Sequence, residues 1–532
     1  MRVLTFYLSL IISLLSNQLV AQSEDSKLVV GIVVDQMRYD YIDRYWSEFG
    51  EEGFKTLVNQ GFFARSVNYH YKPTYTGSGH ASIFTGASPS KHGIVGNNWY
   101  SRSEEKVVYC AESLKDDSNY WMSPQRLRGR TIADEIKLSR GAEVKSYGIS
   151  LKDRGAILPA GFLADAAFWF SSDEQKWISS EFYSNNNPEW LKQFNEQDLV
   201  DKYLSNPWTL SLSEDKYAQS SPDENNYETP LFKNGGTTFP YNLLEAYRQE
   251  GIGILKSIPQ GNTMTTDLAI QLIQSEKLGE DEVLDFLSIS YSATDYVGHR
   301  FGVGSREVHD TYIKLDQDIA RLISYLNTTI GKDKYLLFLT SDHGAGEVRN
   351  SLKEKNLPHG KIETKKLKEE LDSALDAKFG PSEWISSFIN LNVYLNNKPF
   401  ESGFVEKQKI VDFLVEYIKT KNGVLDVWTQ SHTVSQLYLN LLTANGFLNR
   451  ESGDLIIVEQ ASWTNYSDKG STHGSPYHYD THVPLIIYGN GVSRGQTFKA
   501  YTIAEIAPTI AQLLKVPCPE LSEGEVIKEL FK

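Results

Sequence analysis

KLVVGIVVD, residues 27 to 35, is an unbroken run of apolar, mostly β-branched residues that closes on a carboxylate. A strand with no polar alternation is buried on both faces, as in the interior of a parallel sheet. Similar runs recur at 144 to 150 (VKSYGIS), 284 to 291 (LDFLSISY), 335 to 341 (YLLFLTS) and 483 to 489 (VPLIIYG). Helical patterns lie between several of them, including DTYIKLDQDIARLISYL at 310 to 326 and AEIAPTIAQLLK at 504 to 515. This alternation predicts an α/β fold with a doubly wound, mostly parallel central sheet and helices on both faces. Ligands of such sheets bind beyond the carboxyl ends of the strands.

Two long segments, about 99–270 and about 349–455, interrupt the pattern and are rich in Asn, Ser, Trp and Tyr. They are expected as insertions that cap the active edge of one catalytic domain spanning 22–532. Residues 1–21 run from Arg2 through LTFYLSLIISLL to Ala21, the layout of a secretory signal peptide. The apolar run is short for a membrane span and no second one follows, so the expectation is an exported chain, periplasmic or extracellular, with no membrane partner after cleavage.

The 532 residues carry a net charge of −15, which argues against nucleic acid as a specific partner. An anionic small-molecule substrate would have to be captured by local cations against that field. Cys110 and Cys518 are the only cysteines, too few for a disulfide scaffold or a thiolate metal cage. A monomer is expected.

The strand ends supply the candidate chemistry. The first run ends in Asp35; the run 284 to 291 leads into ATDYVGH, with Asp295 and His299; the run 335 to 341 leads into Asp342-His343-Gly344; and His473 precedes the run 483 to 489. Taken singly, Asp35 reads as a helix cap and Asp295 with His299 as a surface pair at helical spacing. Jointly, three Asp and three His without a thiolate suit zinc or another borderline divalent ion better than calcium, and the number fills two sites. His80, His92, His309, His359, His478 and His482 are expected in supporting or surface roles.

The stretch KPTYTGSGHASIFTG, residues 72 to 86, holds Thr74, Thr76 and Ser78 ahead of a Gly-His pair. Alone it looks like any turn or helix cap. A glycine-flanked hydroxyl at a helix start also faces N–H groups and a dipole that favour an alkoxide and a bound phosphate, but it needs an activating base, charge or metal.

In chain order, Asp35, Thr76-x-x-Gly79-His80, Asp295-x-x-x-His299, Asp342-His343-Gly344 and His473-Gly474 resemble the di-zinc alkaline phosphatase superfamily. GIVGNNWY (93 to 100) and SLKDRGAILPAG (150 to 161) bring the resemblance closest to the phosphate-irrepressible, PafA-type alkaline phosphatases. The resemblance implies that Asp35, Thr76, Asp342 and His343 surround one zinc, and that Asp295, His299 and His473 hold the other. It also implies that Thr76 is the nucleophile and that Asn97, Lys152 and Arg154 bind phosphoryl oxygens. Thr74 and Ser78 fall outside the matching position and are expected as turn and cap residues.

The implied reaction is hydrolysis of phosphate monoesters through a phospho-threonine. Without the resemblance Lys152-Asp153-Arg154 would read as a surface charge cluster; within it, the paired cations favour a dianionic monoester over a diester. A nucleotide pyrophosphatase or phosphodiesterase of the same superfamily is the alternative enzyme, and a phosphate-binding protein the non-enzymatic one. The chain lacks the C/S-x-P-x-R element of sulfatases, and the segment around Ser78 is not a G-x-S-x-G elbow.

Overall fold

The computed structural model describes residues 25–114, 122–184, 187–401, 403, 405–431 and 438–531; the expected signal peptide at 1–21 lies outside them. The central sheet has nine strands: β1 Leu28–Val34, β2 Phe62–Asn68, β3 Ser146–Ser150, β4 Ala166–Ser171, β5 Lys176–Ile178, β6 Asp285–Tyr291, β7 Tyr335–Thr340, β8 His482–Gly489 and β9 Gly495–Thr502. Their spatial order is β9-β2-β8-β7-β1-β6-β3-β4-β5. The interior runs parallel, with β1 between β6 and β7, β3 between β6 and β4, and β9 parallel to β2. The antiparallel contacts are those of β8 with β2 and β7, and of β5 with β4.

Every residue of β1 is buried, as its unbroken apolar run predicts. Leu28, Val30, Ile32 and Val34 join the core on one face, and Val29 and Val33 join the core on the other, so one strand feeds both helical layers. Position 31 holds glycine because a Cβ there would lie 2.6 Å from the Phe338 ring on β7. Helices α1 Thr76–Thr85, α2 Asp153–Ala160, α3 Gln260–Glu276, α4 Ala293–Phe301 and α5 Arg306–Leu326 follow or connect these strands. α5 contains the expected helix at 310 to 326, and Ile506–Leu514 forms the core of the one expected at 504 to 515.

Within the first expected insertion, β3, β4 and β5 are strands of the central sheet itself. In the second, strands Ile385–Ile389, Asn392–Leu395, Val424–Thr429 and Leu455–Glu459 form an antiparallel sheet. With helices Thr364–Phe379 and Lys407–Lys419 it encloses a separate core around Leu371, Trp384, Ile410 and Leu414. A hairpin, Asn98–Ser101 with Lys106–Tyr109, runs between this unit and the carboxyl edge of the central sheet.

Candidate active site

The carboxyl edge collects the predicted residues. Asp35 directly follows β1, Asp295 and His299 lie on α4 after β6, and Asp342 and His343 follow β7. β8 is antiparallel to β7, so the edge receives the chain as it enters β8, and His473 reaches it from the preceding loop.

Thr76 is the first residue of α1 and is buried. The helix begins there because Tyr75 holds an extended conformation (φ −113°, ψ 156°). Thr74 and Ser78 do not cap it: Thr74 Oγ1 donates to Ser475 O at 3.0 Å, and Ser78 Oγ is buried without a partner. Asn97 serves instead, its Oδ1 accepting the Gly77 N–H at 2.8 Å. Gly79 is required by close approach, since a Cβ would sit 2.3 Å from Asp342 O.

The three predicted histidine ligands share one arrangement. Each donates Nδ1–H to a backbone carbonyl: His299 to Ser471 O at 2.7 Å, His343 to Gly344 O at 2.9 Å and His473 to Thr74 O at 2.7 Å. This selects the tautomer that leaves Nε2 as a lone pair facing the site. His299 Nε2 is 3.2 Å and His473 Nε2 3.7 Å from Asp295 Oδ1. His343 Nε2 is 3.6 Å from Asp35 Oδ1 and 3.5 Å from Asp342 Oδ2. Two groups of ligand atoms each lie within 4.8 Å of one another: Asp295, His299 and His473, and Asp35, Asp295 and His343. Asp295 therefore borders both positions.

Lys152 immediately precedes α2 and sits among these carboxylates. Its Nζ is 2.7 Å from Asp35 Oδ2, 2.6 Å from Asp295 Oδ2 and 3.4 Å from Thr76 Oγ1. Arg154, the second residue of α2 and half-buried, donates Nη1 to the Tyr109 hydroxyl at 3.2 Å, while its Nε is buried without a partner.

Burial dominates the electrostatics. It pushes the Asp35 carboxyl well above its ordinary range, reinforced by Asp342 and opposed by Lys152. Burial also opposes ionisation of Asp295, yet His299 and Lys152 hold that carboxyl well below the ordinary range. For Asp342, burial is likewise outweighed, by His343 and His80. Burial lowers His343 and His473, keeping both imidazoles neutral and able to ligate. Asp35 Oδ1, Asp342 Oδ2 and His343 Nε2 are buried without hydrogen-bond partners. Three clustered carboxylates against one lysine, with orphaned lone pairs directed inward, fit a divalent metal centre.

Two residues not singled out from sequence complete the site. Gln36 donates Nε2 to Asp295 Oδ1 at 2.6 Å and its backbone N–H to Asp342 Oδ1 at 3.1 Å, from a left-handed conformation (φ 65°). Its only sequence signal is its place beside Asp35 at a strand end. The Tyr296 ring lies 5.1 Å from Lys152 Nζ. His80, expected in a supporting role, donates Nδ1–H to Thr76 O at 2.9 Å, accepts from the Ser290 hydroxyl, and lies 3.4 Å from Asp342 Oδ2.

The model of the family described as type I phosphodiesterase / nucleotide pyrophosphatase matches residues 29–483. Alkaline phosphatase PafA of Elizabethkingia meningoseptica is 36% identical over 519 residues, covering 95% of this chain and 94% of that protein. Alkaline phosphatase PhoV of Synechococcus elongatus is 38% identical over 516 residues, covering 95% and 93%. A Myroides odoratus protein named calcium-transporting ATPase is 38% identical over 525 residues, covering 96% and 95%. The crystal structure of wild-type PafA matches with a TM-score of 0.91 over 96% of this chain and 99% of that one.

Proposed function

Because the chain belongs to the type I phosphodiesterase / nucleotide pyrophosphatase family of the alkaline phosphatase superfamily, and is an alkaline phosphatase of the PafA type, we propose that it hydrolyses phosphate monoesters with two zinc ions through a phospho-threonine at Thr76. The supporting observation is the Thr76 hydroxyl at the start of α1, 3.4 Å from a lysine that also touches Asp35 and Asp295.

In this reading Asp35, Thr76, Asp342 and His343 hold one zinc, and Asp295, His299 and His473 the other. Bound zinc supplies Lewis acidity that lowers the pKa of the attacking hydroxyl and of water, and positive charge for the departing oxygen. Thr76 Oγ1 attacks phosphorus, the bond to the leaving oxygen breaks in line, and water then cleaves the phospho-threonine. Asn97, its Oδ1 held by Gly77 N–H, has Nδ2 left to donate to a phosphoryl oxygen. Lys152 and Arg154 place two positive charges at a group that is dianionic in a monoester and monoanionic in a diester.

The reading includes export of a monomer by the leader at 1–21. The name of the Myroides relative is compatible with the same chemistry, since the terminal phosphoryl of ATP is also a dianionic group. Among the described residues no helix is long and apolar enough to cross a membrane.

The test is kcat/KM for a matched aryl phosphate monoester and its methyl diester, before and after chelation. A large monoester preference, lost on chelation and restored by zinc, is expected. A diester preference would move the assignment to a phosphodiesterase, and no metal-dependent turnover of either would leave a phosphate-binding protein.

A further inference from the structure

The hairpin between strands Ile385–Ile389 and Asn392–Leu395 has a two-residue tip, Asn390-Leu391, because Ile389 pairs with Asn392. Both tip residues are left-handed, with φ 53° and 60°. Such turns match the twist of a hairpin, but they favour Gly in the second position, and a branched leucine there is strained. Strain of this kind persists only where its surroundings enforce it. Here Leu391 O accepts from Ile457 N at 2.9 Å, anchoring the tip to its own sheet.

The anchored tip points across the domain surface at the loop carrying Asn97. Asn390 Nδ2 donates to Asn98 O at 2.7 Å. Gly96 permits the approach, because a Cβ there would already be 3.3 Å from Asn390 Nδ2. The same unit grips the next residues of the strand: Trp99 Nε1 donates to Glu451 Oε2 at 2.8 Å, and Arg102 donates to Ser452 O at 2.6 Å. On its other side, Asn97 Oδ1 receives the Gly77 N–H beside Thr76. A continuous path of short hydrogen bonds thus runs from the second sheet, through the Asn98 backbone and the Asn97 amide, to the helix start that presents Thr76.

We propose that Asn390 is a positioning residue for catalysis: it braces the Asn97 loop, so the inserted sheet sets the aim of the Asn97 amide on the phosphoryl group. This rests on the assignment of Asn97 as a phosphoryl donor. Asn390 touches no reacting atom and acts only through Asn97.

The test is a double-mutant cycle on the zinc-loaded full chain with an aryl phosphate monoester. Asn390→Gly and Asn390→Asp both tolerate the left-handed turn, while neither can donate the amide bond. Each is expected to lower kcat/KM about tenfold, the scale of one lost hydrogen bond in a positioned site. In an Asn97→Ala background the same changes should cost less than about twofold, because the group they aim is gone. A general loosening of the fold would instead act equally in both backgrounds. Equal losses in the two backgrounds, or no loss from Asn390→Gly in the parent, would overturn the brace. An Asn97→Ala variant with undiminished kcat/KM would overturn the phosphoryl-donor assignment and the brace with it. The unfolding temperature of each variant, measured alongside, separates loss of folded enzyme from loss of aim.

Discussion

Lys152 Nζ lies 3.4 Å from Thr76 Oγ1. Because the ammonium also contacts Asp35 and Asp295, it is held above its ordinary pKa range against the opposing effect of burial, and it stays cationic beside the hydroxyl. A cation in that place stabilises an oxyanion on Thr76 or on a phosphoryl group attached to it.

Thr76→Ala is expected to reduce kcat/KM for an aryl phosphate by about 10³ or more, the scale seen when a nucleophile is removed. Zinc content should be unchanged, because the remaining ligands come from other elements. Thr76→Ser should keep measurable turnover and form a phospho-serine, detectable by mass spectrometry after acid quench. Full activity in Thr76→Ala would discard the covalent route.

Lys152→Ala combined with Arg154→Ala is expected to lower monoester kcat/KM by about 10² to 10⁴, from two charge-assisted hydrogen bonds of about 1.5–3 kcal/mol each. Diester hydrolysis should fall by about tenfold or less, since it offers one fewer charge to that pair. Proportional losses on both substrates would assign the pair to holding Asp35 and Asp295 rather than to recognising the phosphoryl group.

The central sheet was legible at its middle, whereas the short strand β4 (AAFWFS), also buried on both faces, was not singled out. Residues 28–34, 285–291 and 335–340 are buried along their whole length, and the rule that ligands lie beyond carboxyl ends led from them to Asp35, Asp295 and Asp342. Strands β2 (FFARSVN) and β9 (GQTFKAYT) escaped notice because charged or polar residues interrupt them near the sheet edge. His473 was read from the segment before the run 483 to 489, and it reaches the same edge because that strand is antiparallel, so its start rather than its end faces the site. Gln36 and Asn390 left no pattern, since each depends on a left-handed backbone and on a contact distant in sequence.

Chelation should abolish turnover and lower the unfolding temperature, with both restored by zinc, because ligand binding to the folded state alone adds to stability. The unpartnered Asp35 Oδ1, Asp342 Oδ2 and His343 Nε2 are the atoms whose burial the ions would compensate. His299→Ala should bind about one zinc instead of about two, as it removes a ligand of one position only. Two zinc ions retained in that variant, measured by elemental analysis, would place His299 outside the metal centre.

A buried carboxyl pair away from the metal site predicts how stability varies with pH. Burial pushes Glu307 up to about 8 and Glu228 up to about 9, the latter reinforced by Glu307, and one oxygen of each is buried without a partner. Both pKa values are raised on folding, so the unfolded chain releases these protons from about pH 4.5 upward while the folded chain retains them. Their contribution to stability is therefore fully present below about pH 4.5 and is lost as the pH rises through about 8 and then about 9. Glu307→Gln keeps an acceptor for the Tyr241 hydroxyl, which donates to Glu307 Oε1 at 2.7 Å, and removes one of the two titrations. The unfolding temperature of Glu307→Gln relative to the parent should therefore climb steadily between about pH 5 and pH 8 and level off above that. A difference that stays constant across the range would show that Glu307 ionises in the folded protein as it does in the unfolded chain.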